Sequence, residues 1–154
     1  QIVKLAASLG IEIPILGGDT LDSNMVLEAA AGSDVQLYVS TFYQEGGSPK
    51  FDDGIKAWLN EDSTAMTNNG GNDTIAAVTA MGYDAYYVAL EALKAAGSTD
   101  KAAVKAALPD VTYTGVSGSI AFDEQGDAIR DTAYIKTADT ANNAWTLETV
   151  QTVE

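Results

Sequence analysis

The chain has 154 residues, 46% of them apolar and 19% charged, and its eight Lys and Arg against 22 Asp and Glu leave a net charge of −14. A surface this acidic repels phosphate backbones and anionic headgroups, which disfavours nucleic acid and charged membrane surfaces as partners. With no Cys and no His, thiol nucleophiles, disulfides, Cys/His zinc sites and imidazole-based dyads or triads are excluded.

Ile2, Leu5, Ala6 and Leu9 have the spacing of one helical face, which predicts a helix over 2–9 that Gly10 ends. Nothing caps that helix, and the opening residues read as the middle of one, so an N-terminal part of the natural chain is expected to be absent. Ile13-Pro14-Ile15-Leu16 is a short apolar run of buried-strand type. Pro14 belongs at its start or on an edge, because it cannot donate to a ladder. Gly17-Gly18-Asp19-Thr20 predicts a tight exit from the strand. Asp22 or Ser23 can cap a second helix through Ala31, with Met25, Val26 and Ala29 facing inward and Gly32 as the stop. Residues 35–39 predict another strand, leading into Ser40-Thr41-Phe42-Tyr43. This alternation predicts an α/β fold with an open, mostly parallel sheet.

A linker-like stretch over 44–49 precedes a helix that starts at Ser48, has Pro49 in its first position and runs to about Asn60. Residues 61–73 read as polar loop. A long helix is expected over 73–96, with a buried stripe of Ile75, Val78, Gly82, Ala85, Ala89 and Leu93 and Gly97 closing it. Ser98 or Thr99 caps a further helix over 100–108, ended by Pro109. The period then changes: 111–114, 119–122, 132–136 and 145–150 predict strands in hairpin order, with 123–127 as a turn. No run approaches the roughly 20 apolar residues of a membrane helix.

Asp19 follows a glycine pair at the carboxyl end of a strand, the region above which open α/β sheets bind ligands. Its carboxylate is therefore a candidate partner for an ammonium group. The alternative is a turn residue that bonds local amides or caps the next helix. Tyr83 and Tyr87, four residues apart, share a helical face and offer either a ligand wall or a packing boundary. Tyr86 is expected on or beside the buried stripe. Asp52-Asp53, Glu61-Asp62 and Asp123-Glu124 with Asp127 read as solvated faces or turns, since none has calcium-loop spacing and no sugar cleft surrounds them. No metal, cofactor or catalytic residue is expected.

Three segments taken together resemble a known family. They are Leu9-Gly10-Ile11-Glu12-Ile13-Pro14-Ile15-Leu16-Gly17-Gly18-Asp19; Gly82-Tyr83-Asp84-Ala85-Tyr86 followed by Gly97-Ser98-Thr99-Asp100 and the alanine-rich run to Leu108; and Thr114-Gly115-Val116-Ser117-Gly118 through Phe122-Asp123-Glu124-Gln125-Gly126-Asp127. Their order and spacing are similar to those of branched-chain amino-acid-type binding proteins, the type I solute receptors of ABC importers. The resemblance implies a type I periplasmic-binding-protein-like α/β receptor of two lobes, crossed three times by its chain. The last two crossings would fall at Ser40, Thr41, Phe42 and Tyr43, the hinge, and near 127–131. Residues 1–43 and 128–154 would belong to the C-terminal lobe and 44–127 to the N-terminal lobe, with the N-terminal part of the protein missing.

By the same resemblance Asp19 binds the ligand's α-ammonium and Tyr83 lies over the ligand. Leu21 stands where the family often has Trp, and the family's carboxylate-binding groups belong to sequence this chain lacks. The implied function is an extracytoplasmic receptor, periplasmic or lipid-anchored, that closes on a small amino acid, delivers it to the membrane subunits of an ABC importer and catalyses nothing. The alternatives are a ligand-sensing receptor domain of the same fold and, from another class, a carboxylate-based hydrolase. Uncovered apolar faces are expected to make this piece self-associate.

Overall fold

Residues 1–152, which the computed structural model describes, form six α-helices and seven strands. Helix α1 (Ile2–Ser8) ends where Gly10, at φ +63°, turns the chain. It buries Val3 and Ala6 and leaves Ile2, Leu5 and Leu9 exposed, so of the expected stripe only Ala6 faces inward. Strand β1 (Ile15–Gly17) starts just after Pro14 and lies at the sheet edge, where the missing N–H breaks no ladder. It pairs in parallel with β2 (Leu37–Thr41), Ile15 opposite Leu37, and α2 (Asn24–Ala30) lies in the connection between them.

Two late strands complete this sheet: β6 (Thr132–Asp139) lies antiparallel to β2, and β7 (Ala144–Thr152) antiparallel to β6, in the order β1-β2-β6-β7. Parallel pairing is thus confined to β1 and β2 here. Val3, Ala6, Ala30, Val35 and Leu37 form the core under the sheet, with Trp145 packed against it. Of the expected inward face Val26 and Ala29 pack partly buried against this core, whereas Met25 is 75% exposed and α2 also buries Asn24, Leu27 and Ala30. The Asn24 amide donates to the Asn69 carbonyl at 2.6 Å and to Asn72 Oδ1 at 2.8 Å. Those bonds hold Asn24 inward on a face that hydrophobicity alone would not assign to it.

Between the two halves of that sheet come α3 (Pro49–Glu61), α4 (Ser63–Asn68), α5 (Ala77–Ala96) and α6 (Lys101–Ala107). A second sheet follows, of β3 (Tyr113–Gly115), β4 (Gly118–Phe122) and the short β5 (Ala128–Ile129), paired antiparallel in that order. Helix α4 lies within the expected polar loop. Asp62 caps it, accepting from the amides of Thr64 at 2.9 Å and Ala65 at 3.0 Å, while staying exposed to solvent as expected. The cap of α6 is Asp100 rather than Ser98 or Thr99, and it accepts from the Ala103 amide at 2.9 Å.

Helix α5 begins at Ala77, after Ile75 has already entered the core, and its buried face is Ala77, Ala80, Asp84, Val88 and Ala92. Val78, Gly82, Ala85 and Ala89 point outward, and Tyr86 is 63% exposed, so the expected stripe is misphased. Asp84 causes the difference. A face drawn by hydrophobicity excludes an aspartate, yet this one is wholly enclosed and accepts from the Val116 amide, the Ser117 amide and the Ser117 hydroxyl at 2.9, 2.8 and 2.6 Å. It thereby anchors the β3–β4 hairpin to α5. Two clusters flank this anchor, one of Tyr43, Phe51, Ile75, Ala77 and Ala80, the other of Val88, Ala92, Val111 and Ile120.

Candidate functional site

At the carboxyl end of β1 the chain enters a 3₁₀ turn (Asp19–Leu21), closed by the Asp22 amide donating to the Asp19 carbonyl at 3.0 Å. Leu21 folds its side chain back over Gly17, into the space a Cβ would occupy there, so the first glycine of the pair permits this tight exit. Asp19 is half-buried at the head of the turn. Its carboxylate receives no hydrogen bond and no ion pair from the described residues, so it neither bonds local amides nor caps α2.

Asp22 is different. Its Oδ2 accepts from the Thr41 hydroxyl at 2.9 Å, the Lys136 ammonium at 2.9 Å and the Ala77 amide at 3.3 Å. The side chains of Lys136 and Asp22 are only 4% and 1% exposed. Asp22 therefore caps nothing in α2, and the helix starts from Ser23 without a side-chain cap.

The segment that leaves β2 is anchored residue by residue. Thr41 is bound to Asp22. Tyr43 donates to Asp52 Oδ1 at 2.6 Å, and the other oxygen of Asp52 takes the Gly46 amide at 2.7 Å. Asp52 is thus buried rather than solvated, because the loop 43–46 turns its donors toward it; Asp53 beside it is exposed. The Phe42 ring lies under the Arg130 guanidinium, 5.2 Å from centroid to carbon, and Arg130 also donates to the Ser117 carbonyl and hydroxyl at 2.9 and 3.1 Å. Ser40 stays within β2, opposite Ile135.

Burial, followed by the hydrogen bond to Asp52, pushes the Tyr43 phenol far above its ordinary range. The neutral form is the one the folded chain favours, so this contribution is full below the unfolded value near pH 10 and is lost as pH climbs above it. Tyr43→Phe should lower stability at pH 7 by about 1.5–3 kcal/mol, read from urea unfolding. It should also remove this alkaline loss from the pH–stability profile.

Tyr83 is 39% exposed, with its ring 5.0 Å from Phe51 and 4.9 Å from Tyr87, so Tyr83 and Tyr87 do share a face. It lines a cleft of about 310 Å³ with Lys50, Phe51, Ile55 and Val116. Asp19 is not among the walls of that cleft, and the two expected ligand residues do not meet in it. Asp123, by contrast, is the turn residue it was expected to be, accepting from the Gln125 and Asp127 amides at 2.9 and 2.8 Å. Sequence reading missed Lys136, Arg130 and the buried roles of Asp22, Asp52 and Asp84.

A family model described as periplasmic binding protein matches residues 1–143. Among solved structures, a leucine-binding protein from Thermotoga maritima is similar at 28% identity and TM-score 0.74, over 98% of this chain and 41% of that one. An ABC transporter substrate-binding protein from Desulfitobacterium hafniense, in complex with Leu, is similar at 27% identity and TM-score 0.63, over 95% and 38%. At 14% identity a solute-binding protein of an ABC transporter from R. palustris, in complex with benzoate, shares the fold, with TM-score 0.70 over 99% and 40%. No curated protein matches the sequence. The chain spans about two-fifths of the length of these solved relatives. No helix among the described residues is long and apolar enough to cross a membrane.

Proposed function

The chain belongs to the periplasmic binding protein family, with the α/β fold of its type I members, and from that premise we propose that it serves in an extracytoplasmic receptor. That receptor binds a small amino acid of branched-chain type and hands it to the membrane subunits of an ABC importer. The observation that carries this reading is Asp19, a half-buried carboxylate at a strand's carboxyl end without a partner among the described residues. A carboxylate so placed suits an α-ammonium, and the contact gains strength when closure of two lobes removes water from it.

In this proposal residues 1–43 and those from 128 onward move as one body and 44–127 as the other, with the hinge at Ser40 to Tyr43 and near 127–131. The ligand's carboxylate is met by groups outside this chain. Tyr83 contributes an aromatic wall. Leucine is the ligand to try first, since two similar structures at 27–28% identity are a leucine-binding protein and a complex with Leu.

Calorimetric titration of the full-length receptor with leucine, isoleucine, valine and benzoate tests the reading. Heat with the amino acids and none with benzoate is expected; benzoate alone binding would remove the amino-acid assignment. On the same receptor Tyr83→Ala should weaken leucine binding about 3- to 10-fold, the scale of an aromatic contact. Tyr86→Ala, at an exposed position, should leave both affinity and melting nearly unchanged. Equal affinities for the two variants would remove Tyr83 from the site.

A further inference from the structure

The most enclosed side chain of β6 is a lysine. Lys136 is the only fully buried residue of that strand, next to the irregularity in β6–β7 pairing between Ile135 and Lys136. Irregularities of this kind re-aim side chains. An ammonium in such a place must be met by an anion, and Asp22 meets it at 2.9 Å. The oxygen that pairs with Lys136 also receives Thr41 and the first amide of α5, so four separate chain segments converge on one atom. Asp22 is itself the residue whose amide closes the turn that Asp19 opens. A second tie runs alongside, from Asn24 to Asn69 and Asn72 in the stretch leading to α5.

As a source of stability such a pair is indifferent. Desolvating two ions cancels much of what their attraction returns, and an apolar pair of equal volume fills a core as well. What the pair supplies is a fixed point and a cancelled charge. Lys136 neutralises Asp22, so of the two carboxylates three residues apart Asp19 is the one left uncompensated.

We propose that Asp22, paired with Lys136, is a positioning residue for ligand capture. It pins the turn that presents Asp19 to the end of β2 and to the start of α5, so that the anionic end of the site and the placement of α5 are set together. The inference rests on reading Asp19 as the ammonium ligand.

Leucine titration of the full-length receptor, with a thermal melt of each variant, tests it. Lys136→Met leaves a buried carboxylate uncompensated, which Asp22 relieves by swinging toward water and pulling the turn off Thr41 and Ala77; affinity should fall about 30-fold or more. Combining Asp22→Asn with Lys136→Met restores neutrality and keeps an amide oxygen for Thr41 and Ala77, and affinity should return to within about fivefold of wild type. A pair with a merely structural role gives wild-type affinity in both variants below their melting temperatures. Wild-type affinity in Lys136→Met, or a double variant as weak as the single one, overturns the inference. Should Lys136→Met fail to fold, Thr41→Val against Thr41→Ser decides: the valine is expected to lose about 3- to 10-fold and the serine to retain affinity, and equal affinities overturn it. Asp19→Asn runs in parallel. Undiminished binding there discards the Asp19 reading and this inference with it, whereas loss there beside wild-type affinity in Lys136→Met overturns only the positioning role.

Discussion

Asp19→Ala and Asp19→Asn should abolish leucine binding by the full-length receptor while leaving its melting temperature nearly unchanged. The carboxylate makes no bond within the described chain, so neither substitution leaves a protein donor unsatisfied. Its whole effect should fall on the ligand. Removing one partner of a desolvated charged pair costs about 2–5 kcal/mol, or roughly 30-fold to several-thousand-fold in affinity. Asparagine keeps the shape but loses the charge, so it should be almost as damaging as alanine. A calorimetric affinity within threefold of wild type for either variant would end the assignment of Asp19.

Asp84→Ala should act in the opposite sense, on the fold. The side chain is entirely enclosed and holds two backbone amides and one hydroxyl of the β3–β4 hairpin. Alanine strands those donors beneath α5, a loss of about 3–5 kcal/mol, since each bond to a charged acceptor counts for more than a neutral one. For a chain of this size about 3–5 kcal/mol corresponds to a melting temperature lowered by roughly 6–20 °C. Gly115→Ala should be destabilising as well, because its new Cβ would fall on the Asp84 carboxylate. A melt of Asp84→Ala within 2 °C of wild type would mean that the hairpin amides find other partners.

Where elements lie was largely legible in the sequence; which way they face was not. Ser48-Pro49 marked the start of α3, Gly97 the end of α5, and the Asp123 turn the strand pairing around it, because each is a local signal read from a few neighbouring residues. The buried faces of α2 and α5 were misread at Asn24 and Asp84, polar side chains whose partners lie 45 or 48 and 32 or 33 residues away. In α1 the larger apolar residues Ile2, Leu5 and Leu9 are the exposed ones, so ranking by hydrophobicity selects the wrong face. Asp19 could be singled out because the glycines before it and the strand before them are adjacent in sequence. The Asp22 centre could not. Its members come from positions 22, 41, 77 and 136, and nothing in their spacing relates them.

The way Thr41, Phe42 and Tyr43 are held has a mechanical consequence for the receptor proposed here. Thr41, the last residue of β2, is bonded to the Asp19–Leu21 turn through Asp22, and Tyr43 to the start of α3 through Asp52. In the proposed receptor Phe42 is the residue between these two ties, and the bonds from Asp22 to Ala77 and from Asn24 to Asn69 and Asn72 join the same two bodies beside it. Phe42 carries the guanidinium of Arg130 on its ring, and Arg130 sits in the return crossing. A twist in one connection is thus felt by the other across about 5 Å. In the proposed receptor the two connections would therefore bend together rather than as independent tethers.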